Sequence, residues 1–327
     1  KLVNYNNLFL RLKNYLKKIR LILGTFSHFK DALNYLSIRQ ALYEDLDKLN
    51  KKNKLWFEFF YKTDYIKKGV FFALSKCDRR SLLVMRKGQD HKIRTFLQFS
   101  KIIKATNFLD IGANYGEFSI ILAEYFKVIT SIEPNPLITW YLKKSVIKNG
   151  LSNKISIVPK ACVLKKQDNL IFSVNPNYSG GNKVFDPYLE NKSLDIYKNE
   201  YLVEVDTVEI KSIINSMLDQ SIDKISAAFK IDIEGKDVEI ANEILLNVLD
   251  NECRFSGLVV MFEWLGDKDN DELLRLLNKV LKLNFNLIVI PGSLKTYNSL
   301  GLKIIKATKD LSNFLNTPNE FLFYKKF

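Results

Sequence analysis

Phe108-Leu109-Asp110-Ile111-Gly112-Ala113-Asn114-Tyr115-Gly116 runs from a short apolar strand into a glycine-bearing turn, and Glu117–Phe126 follows at once as a helical segment. Glycines in such a turn permit positive φ and let a ligand approach the backbone N–H groups closely. The spacing is G-x-x-x-G rather than the G-x-G-x-x-G of dinucleotide-binding folds, which counts against a nicotinamide or flavin enzyme. Upstream, His91–Lys104 reads as a helix leading into this strand. Downstream, Val128–Ile132, Ile155–Val158, Ala227–Ile233, Gly257–Phe262, Leu287–Ile290 and Phe321–Tyr324 read as strands separated by helical stretches. That alternation predicts an α/β fold, a mostly parallel Rossmann-like sheet with helices on both faces. The helix after the second strand is well punctuated, with Asn135 as N-cap, Pro136 in the first turn and Asn149-Gly150 as the stop. Between Asn169 and Thr207 lies an insertion whose two strand-like runs, Asn169–Val174 and Tyr201–Val205, flank a polar, glycine-bearing loop. A long loop inside a compact domain is usually functional.

The 327 residues are 47% hydrophobic, enough for a large core and against global disorder. Cys77, Cys162 and Cys253 are far apart and His28 and His91 are the only histidines, so a zinc cage or a disulfide framework has no raw material. A reducing, cytoplasmic setting fits this cysteine usage, and no stretch has the roughly 18 apolar residues of a membrane span. The charge is polarised: Lys1, Arg11, Lys13, Lys17, Lys18, Arg20 and Lys30, with no acid among them, supply half of the net +14. Leu8, Leu12, Tyr15, Leu16, Ile19, Leu23 and Phe26 recur there at helical steps, which predicts a basic amphipathic helix. Such a helix docks on the rest of the protein or a second subunit, as in a homo-oligomer, or lies peripherally on an anionic membrane. Charge alone supports only non-specific contact with nucleic acid. With further periodic segments at Ala32–Leu49 and Leu55–Tyr65, residues 1–85 read as a helical extension preceding an α/β domain at 86–327.

Ligands of open α/β sheets bind beyond the carboxyl ends of the strands. Here those ends deliver Asp110, Glu133, the pair Asp232 and Glu234, and Glu263 to one edge. A single charged residue there simply marks where a buried strand meets solvent, but four strands doing so point to a site. Glu133 is placed to accept both hydroxyls of a ribose, and Lys160-Ala161 stands where an adenine edge would lie. In Lys230-Ile231-Asp232-Ile233-Glu234-Gly235, period-two alternation puts three charged residues on one face of a central strand that should be apolar throughout. One reading is an internal Lys230–Asp232 pair that neutralises itself. The other is a reaction centre in which a carboxylate acts as general base. Asp232, Glu234 and Glu263 would also suit Mg²⁺, although no metal is part of the expected site.

In order and spacing, DIGANYG, SIEPNP and FKIDIEG resemble the FkbM family of S-adenosylmethionine-dependent methyltransferases over roughly Phe108–Phe327. The resemblance implies a class I methyltransferase fold, a seven-stranded sheet whose last strand is antiparallel. It implies S-adenosyl-L-methionine as cofactor, its methionine part near Asp110, Gly112, Ala113, Asn114 and Gly116 and its ribose on Glu133 beside Pro134 and Asn135. It further implies methyl transfer to a hydroxyl of a sugar or another small polar acceptor, which with the basic charge suggests cell-surface polysaccharide or glycolipid synthesis. Asp232 or Glu234 is then the expected base, with Glu263 as third candidate and Lys230 orienting the cluster. Asn175 and Tyr178-Ser179-Gly180-Gly181-Asn182 match the substrate mouth loosely, and His91 is either a surface residue or within reach of the site. A nucleic-acid methyltransferase lacks support, because IDIEG replaces N/D-P-P-Y/F and Asp186-Pro187-Tyr188 lacks the second proline. Ser179-Gly180-Gly181 lacks the leading glycine of a hydrolase elbow. The competing class is a non-catalytic scaffold that keeps the fold in a glycan-assembly complex.

Overall fold

A computed structural model describes residues 58–64, 69–75, 78–175, 178–184, 201–266, 270–292, 301–306, 314–315 and 317–327. The basic amphipathic helix expected over residues 1–30, the periodic segment Ala32–Leu49, Cys77 and Asp186-Pro187-Tyr188 lie outside the described residues. Among the described residues no helix is long and apolar enough to cross a membrane.

Five parallel strands form the centre: β3 (Asn107–Ile111), β4 (Val128–Ile132), β5 (Ile155–Val158), β10 (Ile225–Ile231) and β11 (Phe255–Trp264). They lie in the order β5-β4-β3-β10-β11, and the sheet continues through antiparallel β14 (Asn319–Lys326) to β12 (Asn286–Pro291). These are the seven strands that the resemblance implies, with the last one antiparallel, and a short eighth, β13 (Lys303–Ile305), pairs on the edge of β12. From β3 the chain steps outward one way to β4 and β5, and later from β10 the other way, so the crevice falls between the carboxyl ends of β3 and β10.

Strand alternation builds two cores. Phe108, Ala228 and Val259 face one layer with α2 (Asp90–Ile102), α3 (Glu117–Ile121) and α4 (Pro136–Lys148). Leu109, Phe229 and Val260 face the other with α5 (Ile210–Asp219), α6 (Asp237–Asp250) and α7 (Asn270–Lys282). At α4 the expected punctuation is present: Asn135 Oδ1 accepts from Leu137 N at 3.0 Å, Pro136 opens the helix, and Asn149 ends it ahead of Gly150 at φ 68°. The insertion joins β6 (Ala161–Val163), just before it, in a small second sheet with β7 (Asn169–Val174), β8 (Lys183–Val184) and β9 (Tyr201–Glu209), in the order β6-β9-β7-β8.

Before α1 (Arg80–Met85) the helical reading is corrected. Residues read as helix over Leu55–Tyr65 include β1 (Glu58–Thr63), which pairs antiparallel with β2 (Val70–Ser75). The cause is tertiary: Ala73 N donates to Ser145 Oγ at 2.8 Å and Phe71 N to Asn149 Oδ1 at 2.9 Å, so α4 supplies partners that local periodicity does not reveal. Val70, Phe72, Ala73, Leu74 and Val84 join the same core as Ile93 and Leu142, so β2 and α1 are packed into the α/β unit. Ser145→Ala strips a buried backbone N–H of its acceptor. We expect a loss of about 1–3 kcal/mol in urea unfolding with an unchanged denaturant slope.

Candidate active site

Two polar rows cross one face of the sheet at its carboxyl end. In register, Ser131 of β4, Asp110 of β3 and Lys230 of β10 are neighbours. One step beyond them stand Glu133, Gly112, Asp232 and Glu263, and Glu263 is paired in register with Glu320 of β14. Alternation therefore places the charges, and the helices α2 and α3 cover them.

Lys230 is buried, and its Nζ donates to the Gly112 carbonyl at 2.9 Å while lying 3.3 Å from Asp232 Oδ2 and 3.6 Å from Asp110 Oδ1. Asp110 is almost fully enclosed, and its Oδ2 accepts from Ser119 Oγ at 2.6 Å and Ser119 N at 3.2 Å. It thus fixes the glycine turn from beneath rather than lining the cleft. In the turn, Gly112 has φ 73° and Gly116 φ 80°. A Cβ on Gly112 would stand 1.8 Å from the Asp232 carbonyl oxygen, and one on Gly116 would stand 2.3 Å from Leu142 Cδ1. Gly112 is required by close approach to backbone as well as by its backbone angle, and Gly116 by its backbone angle.

Glu133 is buried at the end of β4, where Oε2 accepts from Asn114 N at 2.8 Å and Oε1 from Asn135 N at 2.9 Å. Burial pushes its carboxyl up to about 7 against the pull of those two N–H groups. Each oxygen keeps a lone pair for a further donor. Beside it opens an apolar cleft of about 600 Å³ lined by Pro134, Ala161, Cys162, Val163, Ile233 and Leu265 among others. Burial pushes the Cys162 thiol up to about 12, which makes it an inert wall. The Lys160 side chain is turned to Asp206, 3.6 Å away, and only its neighbour Ala161 lines the cleft.

A more polar arm joins this cleft at Gly112, Pro134, Phe172, Ile233 and Glu234, and also contains Lys230, Asp232, Glu263 and Tyr178. Carboxylate oxygens of Asp232, Glu234 and Glu263 lie within 4.8 Å of one another. The trio assembles differently from the expected alternation. Strand β10 ends at Ile231, and Glu234 reaches the cluster through a turn in which it has φ 54° and Gly235 φ 120°. Asp237 holds that turn, accepting from Ile233 N and Gly235 N at 3.2 Å each. Burial opposes ionisation of Asp232, but Lys230, Lys92 and Arg80 outweigh it and hold its pKa below the usual range. Burial together with Asp232 and Glu320 pushes Glu263 the other way, to about 9, despite Lys92 at 3.8 Å. The two carboxyl groups are thereby driven in opposite directions, Asp232 toward its ionised form and Glu263 toward its protonated form.

His91 is buried on α2, contrary to a surface position, and faces the Pro291 backbone rather than the cleft. The same helix turn brings in Lys92, which pairs with Glu320. Asp78, Arg80, Lys92, Glu117, Asp237 and Glu320 all serve this region without having stood out in the sequence, because each acquires its role from a partner distant in the chain or from a turn. Asp78 is the anchor of the mouth: Tyr115 OH donates to it at 2.9 Å, Ser179 N at 3.0 Å and Arg80 N at 2.8 Å. Ser179 Oγ in turn reaches Asn114 Oδ1 at 3.2 Å, which ties the Tyr178–Asn182 loop to the glycine turn.

No protein-family model matches the chain, and no curated protein matches it. Among solved structures it is similar to the O-methyltransferase from Bacillus cereus in complex with SAH, at 9% identity and a TM-score of 0.39 over 72% of this chain and 81% of that one. It is similar also to an O-methyltransferase from Streptomyces achromogenes involved in tomaymycin synthesis, in complex with SAM, at 10% identity and a TM-score of 0.38 over 72% and 80%. A third is an rRNA methylase from Streptococcus thermophilus, at 12% identity and a TM-score of 0.35 over 72% and 95%.

Gly112→Ala forces a methyl group against the Asp232 carbonyl at a left-handed backbone position. We expect it to destabilise the fold by about 3 kcal/mol in chemical denaturation, well beyond the effect of Gly150→Ala, whose added Cβ meets nothing within 4 Å.

Proposed function

We propose that this chain is an S-adenosylmethionine-dependent methyltransferase that methylates a hydroxyl oxygen. In keeping with the FkbM resemblance, the acceptor is a sugar of a cell-surface polysaccharide or glycolipid. The observation that carries the reading is the position of Glu133, a buried acid with spare lone pairs between an apolar cleft and an acidic cluster across a single glycine turn.

The residues fit the cofactor part by part. The apolar arm at Pro134, Ala161 and Val163 suits an adenine ring, and the Glu133 carboxylate suits the two ribose hydroxyls. The turn from Gly112 to Gly116 and the polar arm leave the amino-acid tail beside Asn114 and Glu117. When bound, the cofactor supplies an electrophilic methyl group on sulfur.

Methyl transfer to oxygen is an in-line displacement in which the protein mainly positions the nucleophile and takes up its proton. Asp232 is ionised at neutral pH and half-buried, so it can receive the hydroxyl proton as the O–C bond forms. Lys230 holds that carboxylate in place through a 3.3 Å contact. Burial and the neighbouring carboxylates make Glu263 hold its proton more tightly than Asp232 does, and Glu234 is the alternative base. Tyr178, Ser179 and Gly180 line the polar arm at its mouth.

Calorimetric titration should show binding of S-adenosylmethionine and S-adenosylhomocysteine and none of NAD; absence of the first two sinks the proposal. Glu133→Ala should weaken S-adenosylhomocysteine about tenfold or more. Ribose hydroxyls favour the ionised carboxylate, so wild-type affinity should rise with pH up to about 7 and then level off. That pH dependence should flatten in the variant. Asp232→Asn should leave the protein folded but lower turnover at saturating cofactor by about 10²–10⁴. A wild-type rate in that variant moves the base to Glu234.

A further inference from the structure

Arg80 begins α1 at the wall of the polar arm, with nine-tenths of its side chain buried. Its Nη2 pairs with Glu117 Oε2, whereas its Nη1, also buried, has no hydrogen-bond partner among the described residues. The other cations of the arm are committed. Lys92 pairs with Glu320 and lies 3.8 Å from Glu263, and Lys230 is shared among Gly112, Asp110 and Asp232. Burial works against the charge on Arg80, but Glu117 and Asp232 outweigh it, so the guanidinium stays protonated. A buried charged N–H left open is costly, and natural structures complete one with water, an ion or a ligand or keep it for a functional role.

Three features define what completes it. A guanidinium edge matches a carboxylate in geometry and charge. Glu117 directly follows Gly116, so the Arg80–Glu117 pair sets the open N–H beside the glycine turn. Across the arm lie the carboxyl groups of Asp232, Glu234 and Glu263. A purely anionic ligand would face repulsion there, while a zwitterion presenting a carboxylate to Arg80 and an ammonium to the acidic side is complementary at both ends. We propose that Arg80 binds the α-carboxylate of the cofactor's amino-acid tail and so makes the site specific for a cofactor with an intact tail. This rests on the methyltransferase reading above. Asp78 fixes the position, since its Oδ1 accepts from Arg80 N at 2.8 Å and sets the start of α1.

The test compares binding of S-adenosylmethionine with decarboxylated S-adenosylmethionine, each titrated alone by calorimetry. Wild type should prefer the intact tail by about tenfold or more. Arg80→Met should abolish that preference while leaving affinity for the decarboxylated form within about twofold. Because Arg80→Met breaks the ion pair with Glu117, the double variant Arg80→Met/Glu117→Gln repeats the comparison with both members of that pair neutral. Equal weakening of both ligands would make Arg80 a structural residue and overturn the proposal. An intact preference would overturn it too, assigning the open N–H to the methyl acceptor. If wild type binds neither ligand, the methyltransferase reading itself fails, an outcome distinct from both.

Discussion

A lysine buried near the carboxyl end of a doubly covered parallel strand has to be neutralised where it stands, and the Lys230 ammonium is met by three separate segments. It takes Asp110 from β3, Asp232 from beyond β10 and the carbonyl of Gly112 from the turn between β3 and α3. Removing one partner from such a buried set leaves charge uncompensated and costs several kcal/mol, so the three segments are held in one arrangement. Gly112 can lie against the Asp232 carbonyl only because it has no side chain. The shape of the cleft floor therefore follows from one buried charge and one missing Cβ.

Lys92 does the corresponding work on the same face, further along the sheet at β11 and β14. Antiparallel pairing of β11 with β14 sets Glu263 directly opposite Glu320, a like-charge pair that is destabilising by itself. Lys92 on α2 pairs with Glu320 and lies near Glu263, which ties the helix to the sheet edge. It does not fully offset burial, and Glu263 retains a raised pKa while Asp232, nearer Lys230, is lowered. Carboxyl groups that share a site and differ in proton affinity suit proton transfer, because one can accept while the other donates a hydrogen bond.

Much of this was legible because strand period and strand ends are local properties. The seven main strands, the Asn135-Pro136 cap, the glycine turn and the carboxylates at the strand ends all follow from patterns within ten or so residues. The segment Leu55–Tyr65 has apolar spacing that suits a helix, yet β1 forms there because it pairs with β2, whose backbone N–H groups are met by Ser145 and Asn149. Glu234 reaches the acidic cluster by a left-handed turn rather than by alternation, and that turn depends on Asp237. Arg80 and Lys92 acquire meaning only from Glu117 and Glu320, the latter more than two hundred residues away in the chain. A pair separated by that distance leaves no mark in local spacing.

The mouth of the cleft joins three segments that the sequence presents as separate. Asp78 precedes α1, Tyr115 belongs to the glycine turn and Ser179 belongs to the insertion, yet all three meet at one buried carboxyl group. Burial pushes Asp78 upward while its three donors pull it back, so its hydrogen bonds and its charge state depend on one another. Loss of any donor would raise the cost of the remaining charge and loosen the loop that walls the site. Since β2 and α1 also share the core with α2 and α4, these two elements are as much a part of the site as the motifs that follow them. The wall of the polar arm is thus built from the segment that local pattern makes hardest to read, and its floor from the segment that local pattern makes plainest.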